Sequence, residues 1–543
     1  MPGIFKGGYF RVKRKVLAFL LAVFVITAIL SGCSGKKESG PPGGAGLEAG
    51  SGILNDYFDS DPNGFDVQES TLLVSYHLAR HIYSTLLRYK GDTLELEPEL
   101  LASMPEISPD GRTYAFELKK GIKFHDGVTE LVADDVKFTI ERMLSPEGKG
   151  MSKWLFEPIL GAKDFMEGKT DSLAGFKKID DYKFQIILEK PYAPFLHNLA
   201  VPAASIYSEK LVKEAGDSWK LNPIGTGPFK LKSYVPNTEI VLEKNPHYFE
   251  EGFPKLEGIH YRIVPDVTTA LMEFESGTLD VCSIPVNEYQ RIKDSGKYEV
   301  LEGVALNTYY FIMNLSDPSW SDVRLRKAVA MAIDKEKLVE ALYGPRGTVA
   351  KSFVTPGIPG AYEQGTGPAY DYNPEEAKRL VKELGNVGKL HAWQWGGERI
   401  SDANVAIQAM LKDVGLDLEI TIMESAAFRQ ARSEGKIPAS YGNWWADIPD
   451  PDNYIYTFFA RTNQMSSGYK NGEIQDLLEQ ARYEVDPEKR KELYRKIEDT
   501  IIREDVAIVP LFHLKNLLAT QKNVKDIILH PTGINIYTYA YKE

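Results

Sequence analysis

Two histidines are the first candidates for chemistry in this chain. His77 and His81 lie four residues apart in a segment whose pattern predicts a helix, so their imidazoles share one face. Such a pair can hold Zn²⁺ or Ni²⁺, and a secreted metallohydrolase built on it is one hypothesis. That enzyme needs a third ligand and a general base, and the sequence assigns neither. Packing of both imidazoles in a core or on a surface is the simpler interpretation, so we expect no metal site.

Two polar runs resemble fragments of other functional sites. Residues 59–64 read Asp-Ser-Asp-Pro-Asn-Gly, like the first half of a calcium loop, but Ser70 stands where that loop needs a bidentate glutamate. The run His125-Asp126-Gly127 contains an Asp-Gly pair, which is typical of turns. We interpret both runs as polar turns.

Composition and missing motifs exclude several classes of protein. The 543 residues are 43% hydrophobic and 26% charged, which is typical of a folded chain of more than one domain. A formal net charge of −12 argues against a nucleic-acid partner, because phosphate binding needs a basic surface. Two cysteines exclude a disulfide scaffold, and we expect Cys282, in an apolar context, to be buried and unreactive. Without a nucleophile elbow, a phosphate-binding loop or a Cys-x-x-Cys motif, we expect neither catalysis nor a cofactor.

The first 51 residues have the pattern of a targeting segment and a linker. Five Lys and Arg residues between positions 6 and 15 precede an apolar run over residues 16–30, which as a helix is roughly 22 Å long and too short to span a bilayer. The run ends in Leu30-Ser31-Gly32-Cys33, which resembles the lipobox of bacterial lipoproteins. We therefore expect residues 1–32 to be a signal peptide, Cys33 to carry lipid, and residues 33–51, rich in Gly, Ser and Pro, to be a flexible tether.

The elements that would position a site alternate between strands and helices. Residues 114–118 alternate like a strand, and apolar residues at helical spacing predict a helix over 133–143. Asn373 and Pro374 predict the start of a helix that ends at Gly385. Residues 391–395, 403–414 and 416–422 predict a strand, a helix and a second strand, which favours parallel pairing. The chain is therefore predicted to be α/β.

A series of short segments resembles one protein family, that of the large extracytoplasmic solute-binding proteins of peptide and nickel ABC importers. One of these segments is Gly225-Thr226-Gly227-Pro228-Phe229. The segments occur along the chain in the same order as in the family: residues 96–102, 110–118, 121–127, 133–136, 225–229, 245–248, 276–280 and 322–328. Each segment alone is a weak pattern. The ordered set is specific to the family.

The resemblance implies a fold and a division into domains. The fold is a two-lobed, periplasmic-binding-protein-like α/β clamp of type II, with an extra subdomain inserted in lobe 1. Lobe 1 would take residues 52–95, 206–302 and 516–543, the insert residues 96–205, and lobe 2 residues 303–515. A ligand enclosed between such lobes loses its water, so each of its polar groups must find a partner in the protein.

The resemblance also assigns candidate ligand-binding residues. Asp447 matches the aspartate that anchors the α-ammonium group of a bound peptide, and Trp444 and Trp445 would form flat apolar walls. An extended stretch from Thr71 to Leu73 would pair with the ligand backbone. Tyr441 stands where some relatives have a basic residue, and Arg432 matches another basic position. The alternative is that Asp447 caps a turn and that the tryptophans belong to the core.

The resulting prediction is a monomeric, non-enzymatic lipoprotein on the outer face of the cytoplasmic membrane, in the periplasmic space if the cell has two membranes. It would capture short peptides and deliver them to an ABC permease driven by an ATPase. An oligosaccharide or a nickel–chelator complex remains an alternative ligand, and the metallohydrolase remains the alternative from another class.

Overall fold

The computed structural model describes residues 52–543 apart from 398, 462–464 and 466. The predicted signal peptide, the tether and the lipid-bearing Cys33 lie outside the described residues. Within the described ranges, no helix combines the length and the apolar character needed to cross a bilayer.

A mixed four-stranded sheet forms the centre of the first lobe. Ile53–Phe58 pairs in parallel with Gly258–Ile263, and Glu239–Lys244 and Phe229–Val235 continue the sheet in antiparallel orientation. Side chains of Ile53–Phe58 alternate between buried and half-buried, because successive residues of a strand point to opposite faces. Almost 200 residues of chain thus separate two strands that lie side by side.

A second sheet is built from the chain between those two strands. It is antiparallel, and its strands in spatial order are Glu106–Ile107, Thr113–Glu117, Lys183–Ile187 and Phe176–Lys178. The rings of Phe116 and Phe184 stack across it at 5.0 Å, and both belong to the same hydrophobic core as Leu54 of the first sheet. The strand predicted at 114–118 and the helix predicted at 133–143 are confirmed, as Thr113–Glu117 and Ala133–Leu144.

The second lobe has its own sheets and its own cores. One sheet is antiparallel, in the order Gly347–Val349, Ile508–Leu514, Asn307–Met313 and Ala439–Trp445. The other pairs Leu390–Trp395 in parallel with Leu418–Met423 across the helix Asp402–Asp413, which confirms the predicted strand–helix–strand unit. The buried side chains that pack around these sheets come from residues 306–514.

The chain passes between the lobes twice, and the two passages run together. Gly303 pairs with Asn516 at the end of a three-stranded sheet formed by Val281–Ser283, Asn516–Thr520 and Glu299–Gly303. A few residues further into the second lobe, Asn307 Nδ2 donates to the carbonyl oxygen of Leu514 and the backbone N–H of Leu514 donates to Asn307 Oδ1. These two neighbouring chain segments connect the lobes covalently. The second segment leads residues 516–543 back to the first lobe. The domain boundaries implied by the family resemblance stay a prediction.

The remaining elements complete both lobes. Two-stranded pairs form between Leu87–Tyr89 and Leu96–Pro98, between Val524–Lys525 and Tyr541–Lys542, and between Ile528–Leu529 and Asn535–Ile536. The helix predicted from Asn373 begins as expected, because Asn373 Oδ1 accepts the N–H of Glu376, and it ends at Gly385 with φ +76°. The α-helices are Leu73–Ile82, Ala133–Leu144, Ala162–Met166, Phe195–Asn198, Glu209–Ala215, Val267–Glu275, Tyr289–Asp294, Val323–Ala332, Lys335–Leu342, Pro374–Leu384, Asp402–Asp413, Ser425–Ser433, Pro451–Phe459, Gly472–Tyr483 and Pro487–Asp499.

Candidate functional site

A cavity of about 620 Å³, the main cavity, lies between the two lobes. On the lobe 1 side, the cavity is bordered by the helix Leu73–Ile82, which we call the cleft helix, and by the residues just before it. Thr71, Leu73, Tyr76 and Arg80 of this segment line the cavity. From lobe 2 it is lined by Trp395, Asn443, Trp445 and Asp447. A volume of this size is typical of sites for small molecules.

The strand Ala439–Trp445, which we call the tryptophan strand, places Trp444 and Trp445, the two residues predicted to form the cavity walls, on opposite faces. It pairs along its whole length with Asn307–Met313, and Trp445 at its end lines the main cavity. Trp444 instead packs against the lobe 2 core, with its ring edge-on to Phe458 at 5.4 Å. Adjacent residues of a strand point to opposite faces, so the two indoles cannot form one wall.

Asp447 follows the tryptophan strand by two residues and lines the main cavity. Its backbone N–H donates to Asn453 Oδ1 at 3.1 Å, which fixes the turn. Burial raises the pKa of its carboxyl group to about 6, although the side chain of Asn453 acts in the opposite direction. Among the described residues, no Lys, Arg or His side chain forms a salt bridge with Asp447. Its carboxylate is thus a partly desolvated negative group that faces the cavity.

The residues after Asp447 tie its turn to both lobes. Ile448 is fully buried in the core of lobe 1. Asp450 accepts two hydrogen bonds from the Arg490 guanidinium, at 2.7 and 2.8 Å, and its side chain caps the helix Pro451–Phe459. Asp447 therefore lies on a segment that packs into the core of lobe 1 at Ile448 and is hydrogen-bonded within lobe 2 at Asp450.

The residues just before the cleft helix are only partly as predicted, since we expected an extended stretch from Thr71 to Leu73. Leu72 is extended, but Leu73 is the first residue of the helix and is 47% exposed. No side chain caps this helix, so the usual sequence signal for a helix start is missing. Thr71 and Leu73 both line the main cavity, as the prediction placed them.

Tyr441 and Arg432 lie at a smaller neighbouring cavity of about 120 Å³, the side cavity. The Tyr441 and Tyr343 hydroxyl groups are 3.2 Å apart. Trp395 and Asn443 border both cavities, so the side cavity adjoins the main cavity at these two residues. The structure thus places four of the predicted site residues at the main cavity, two at the side cavity and Trp444 at neither.

Sequence reasoning missed the lobe 1 residues that the end of the chain contributes. The hairpin of Ile528–Leu529 and Asn535–Ile536, the cleft hairpin, lines the main cavity with His530, Thr532, Ile534 and Ile536. Both ring nitrogens of His530 are hydrogen-bonded, to Thr532 Oγ1 and to the carbonyl oxygen of Thr93, and burial lowers its pKa to about 4. The sequence around Gly533 could have predicted a turn, but nothing in the sequence indicates that this turn lies at the cleft.

The sequence also gave no reason to single out Tyr76 and Arg80. Their spacing from Leu73 follows one face of the cleft helix, which is the only signal that could have found them. Burial and the charge of Asp447 both raise the pKa of the Tyr76 hydroxyl, so this tyrosine lies close enough to sense the carboxylate across the cleft.

The two candidate metal-binding histidines are on one helix, as predicted, but both are buried. The carbonyl oxygen of Gly533 is 2.8 Å from His77 Nε2, and His81 stacks on Tyr537 with ring centroids 5.1 Å apart. Burial lowers the pKa of His77 to about 4. The ranges that the structure describes contain no group of three His, Cys, Asp or Glu residues arranged to hold a metal ion.

The other polar motifs are turns, as predicted. Asp61 accepts hydrogen bonds from the backbone of Asn63 and Asn237. His125 accepts the N–H of Gly225, and Gly127 has φ +71°. Cys282 is buried, and burial raises the pKa of its thiol to about 12, as expected of an unreactive cysteine.

Comparison with known proteins gives a consistent picture. The dipeptide-binding protein of Escherichia coli is 29% identical over 88% of this chain and 92% of its own length. Heme-binding protein A of Haemophilus influenzae is 29% identical over 95% of this chain and 97% of its own length. Among solved structures, the periplasmic binding protein DppA of Helicobacter pylori, in complex with the peptide STSA, is 28% identical and superposes with a TM-score of 0.77 over 91% of this chain and 98% of its own.

The family model described as bacterial extracellular solute-binding proteins, family 5 Middle, matches residues 95–466, which is more than half of the chain. The two-lobed clamp predicted from the sequence is confirmed by these neighbours. This chain belongs to the family 5 bacterial extracellular solute-binding proteins.

Proposed function

We propose that this protein captures short peptides in the main cavity and hands them to the permease of an ABC importer. The observation that carries the proposal is the carboxylate of Asp447, which faces the cavity between the lobes without a cationic partner among the described residues. A group of this kind is ready to receive a positive charge from a ligand.

An α-ammonium group is the charge that fits. Every unmodified peptide carries one at its N-terminus, and a charge-assisted hydrogen bond to a partly desolvated carboxylate is stronger than the same bond in water. The raised pKa of Asp447 reports the desolvation that the ammonium would offset. Recognition through the terminus leaves the peptide side chains free to vary.

The rest of the cavity suits variable side chains. Trp395, Trp445 and Tyr76 present aromatic surfaces to it, and dispersion contacts with such surfaces do not require one particular partner. The side cavity beyond Trp395 and Asn443 gives a second volume next to the first. These features support a receptor that accepts many peptides.

The remaining parts of the proposal concern location and partners. Residues 1–32 would be removed as a signal peptide, lipid on Cys33 would anchor the chain outside the cytoplasmic membrane, and residues 33–51 would let the body reach the permease. The energy of transport would come from a separate ATPase. Binding and release are the whole role that we assign to this chain, without catalysis.

The test is to identify what the purified protein retains. Mass spectrometry of the native protein after gel filtration is expected to find short peptides, and isothermal titration calorimetry with those peptides is expected to show weaker binding to Asp447→Asn by a factor of ten or more. Asp413→Asn, an exposed carboxylate at the end of the helix Asp402–Asp413, is the matched control and should bind like the wild type.

Two results would overturn the proposal. Retention of an oligosaccharide or a nickel–chelator complex, with no peptide binding, would assign another ligand. Equal peptide binding by wild type and Asp447→Asn would remove the carboxylate as the anchor.

A further inference from the structure

A second cavity, which we call the lobe 1 cavity, lies beside the main cavity. Its volume is about 380 Å³, and the residues of lobe 1 that line it include Asp56, Asp59 and His77. Asp59 and Leu73 border both cavities, so the two volumes meet at these residues. The lobe 1 cavity falls in the range of about 300–1,000 Å³ that is typical of ligand sites. One ligand can therefore place one group in the main cavity and another in the lobe 1 cavity.

The lobe 1 cavity carries negative charge without a compensating cation. Asp56 is 5% exposed, and its carboxylate accepts hydrogen bonds from the Tyr537 hydroxyl at 2.6 Å and from the backbone N–H of Tyr57 at 2.8 Å. Asp59 is exposed where the cavities meet. In the described part of the chain, neither aspartate forms a salt bridge, and no Lys or Arg lines this cavity. Burial raises the pKa of Asp56 to about 7, an electrostatic cost that a cation beside it would offset.

The imidazole of His77 adds a hydrogen-bond acceptor without a partner. His77 is 9% exposed and lines the lobe 1 cavity. Its Nε2 lies 2.8 Å from the carbonyl oxygen of Gly533, and because a carbonyl oxygen can only accept, Nε2 carries the proton. Nδ1 is then an acceptor, and it is buried with no hydrogen-bond partner in the described ranges. Buried acceptors are normally satisfied, so this side of the cavity lacks a donor.

These polar groups define the chemistry of a matching ligand. Two carboxylates and one imidazole nitrogen all accept hydrogen bonds, so the complementary group is a cation with several N–H donors. The described residues contain no group of three His, Cys, Asp or Glu arranged to hold a metal ion, so we assign the site to an organic cation. A primary ammonium or a guanidinium group supplies both the charge and the donors.

The surface where the cavities meet suits an aliphatic chain that carries such a group. Leu72 and Leu73 line the lobe 1 cavity and are 46% and 47% exposed. Methylene stems of lysine and arginine pack on apolar surface of this kind while the charged end reaches polar partners. Leu73 also lies near the lobe 2 wall, because its Cδ2 and Cζ3 of Trp445 are 3.8 and 3.1 Å from the position of a side-chain carbon on Gly533. Trp445 precedes Asp447 by two residues, so the first residues of a peptide anchored at Asp447 would lie beside Leu73.

We propose that the lobe 1 cavity binds an organic ammonium or guanidinium group through Asp56, Asp59 and His77. This inference rests on the proposed function for the source of that group, which is a lysine or arginine side chain of the captured peptide, so the protein prefers basic peptides. A free diamine has the same chemistry, with one ammonium group at Asp447 and the other in the lobe 1 cavity, and it is the second source that the test distinguishes.

The test compares peptides that differ in one side chain. Alanine tripeptides in which each position in turn is replaced by lysine, arginine or norleucine compete for the purified protein, and mass spectrometry quantifies what is retained. Norleucine has an unbranched side chain like that of lysine but carries no charge. Calorimetry then measures the best-retained set, and we expect the lysine or arginine peptide to bind the wild type at least tenfold more tightly than the norleucine peptide. The diamine 1,4-diaminobutane is titrated in parallel.

Variants of the two aspartates connect the preference to the cavity. Asp59→Asn changes an exposed residue, so it tests the site even if a change at the buried Asp56 disturbs folding, and it should lower the preference at least threefold. Asp56→Asn/Asp59→Asn should lower the preference to less than twofold, with melting temperatures to show that both variants are folded. Asp171→Asn is the matched control: it removes one negative charge at an exposed site that lines neither cavity, and it should keep the full preference.

The outcomes separate this inference from the proposed function. A preference for the basic side chain that the aspartate variants lose assigns the bound group to the peptide. Binding of 1,4-diaminobutane that the same variants lose, without any preference among the peptides, assigns it to a free amine. If tripeptides bind but the variants alter neither a basic preference nor diamine binding, or if both are missing in the wild type, the lobe 1 cavity has no such role and peptide capture stands.

Two further outcomes concern peptide capture itself. If the diamine binds through the two aspartates but no tripeptide binds, peptide capture is wrong and the assignment of the lobe 1 cavity stands. If neither the tripeptides nor the diamine binds the wild type, both proposals are wrong.

Discussion

The hydroxyl group of Tyr192 donates a hydrogen bond of 3.2 Å to Oδ2 of Asp452, and this bond joins the two lobes. Tyr192 is buried with the core of lobe 1, whereas Asp452 lies in the lobe 2 helix Pro451–Phe459, five residues after Asp447. The Arg482 guanidinium lies over the Tyr192 ring, 5.2 Å from its centroid, and 4.0 Å from Asp452. A polar contact thus joins the two lobes five residues along the chain from the proposed ligand anchor.

Tyr192→Phe is expected to weaken ligand binding by up to about tenfold. The variant loses one hydrogen bond to a charged group between the lobes, worth about 1.5 kcal/mol, so the equilibrium constant between closed and open protein falls by about that factor. Apparent affinity falls with the fraction of protein that is competent to bind. Calorimetric titration with a peptide that the wild type retains measures the change.

Tyr494→Phe is the control for this prediction. The Tyr494 hydroxyl donates to the other oxygen of the same carboxylate, Asp452 Oδ1, at 3.0 Å, but both residues lie in lobe 2. Loss of this bond should lower the melting temperature without a comparable loss of affinity. Equal effects of the two substitutions on affinity would show that the bond from Tyr192 has no special role in closure.

Much of the fold and part of the site could be predicted from sequence. The predictable features depend on residues that are close together in the chain, whereas the features that were missed depend on contacts between residues far apart. The helix from Pro374 to Leu384 follows from Asn373, Pro374 and Gly385, which are local signals. Asp447 and Trp445 are assigned as site residues because a short contiguous segment resembles the ligand-anchoring segment of the family. Trp444 belongs to that segment too, but the two-residue repeat of a strand turns it towards the core.

The missed residues depend on contacts between distant parts of the chain. The cleft hairpin reaches the main cavity only because residues 516–543 return to lobe 1, where the carbonyl oxygen of Gly533 lies 2.8 Å from Nε2 of His77, 456 residues earlier in the chain. Arg80 is oriented by Glu99, which is 19 residues away. No local sequence pattern encodes contacts of this range.

Gly533→Ala is expected to weaken ligand binding at least fivefold. A side-chain carbon at this position would lie 3.1 Å from Cζ3 of Trp445, which is tighter than an ordinary van der Waals contact. Either the cleft hairpin or the indole must move, and both line the main cavity. The measurement is the dissociation constant for a retained peptide, together with the melting temperature.

Gly277→Ala separates this contact from backbone strain. Gly277 has φ +81°, close to the +84° of Gly533, but no atom lies within 4 Å of the corresponding side-chain carbon. Both substitutions should destabilise the protein by about 1–2 kcal/mol, because both place a side chain at positive φ. If they also weaken binding equally, the contact between Gly533 and Trp445 does not shape the site.

Peptide affinity is expected to be highest near pH 7 and to fall below pH 6, and it also falls above about pH 8, where the α-ammonium group of the peptide loses its proton. In the free protein the pKa of Asp447 is raised to about 6, and an ammonium ligand binds the ionised form. Binding therefore releases a proton at low pH, and affinity falls by up to tenfold per pH unit as the carboxyl group becomes protonated. Titrations between pH 5 and 8 measure this, and a flat profile for the wild type would contradict it.

Asp447→Asn is expected to stabilise the ligand-free protein at pH 7 while it weakens binding. The pKa of Asp447 is raised from 3.8 in the unfolded chain to about 6 in the folded protein, so ionisation opposes folding. This penalty is absent below pH 3.8, grows between pH 3.8 and 6, and reaches its full value above pH 6. At 1.36 kcal/mol per pKa unit it amounts to at most about 3 kcal/mol, and an uncharged asparagine avoids it.

Thermal and urea unfolding at pH 7 and pH 4 test this expectation. The gain in the free energy of unfolding should be present at pH 7 and largely absent at pH 4, whereas the exposed control Asp413→Asn should change little at either pH. A variant that is no more stable than the wild type at pH 7 would mean that the carboxylate is already compensated in the ligand-free protein. In that case the ligand ammonium group would not offset an unfavourable desolvation of the Asp447 carboxylate, and the burial of this group would not contribute to binding.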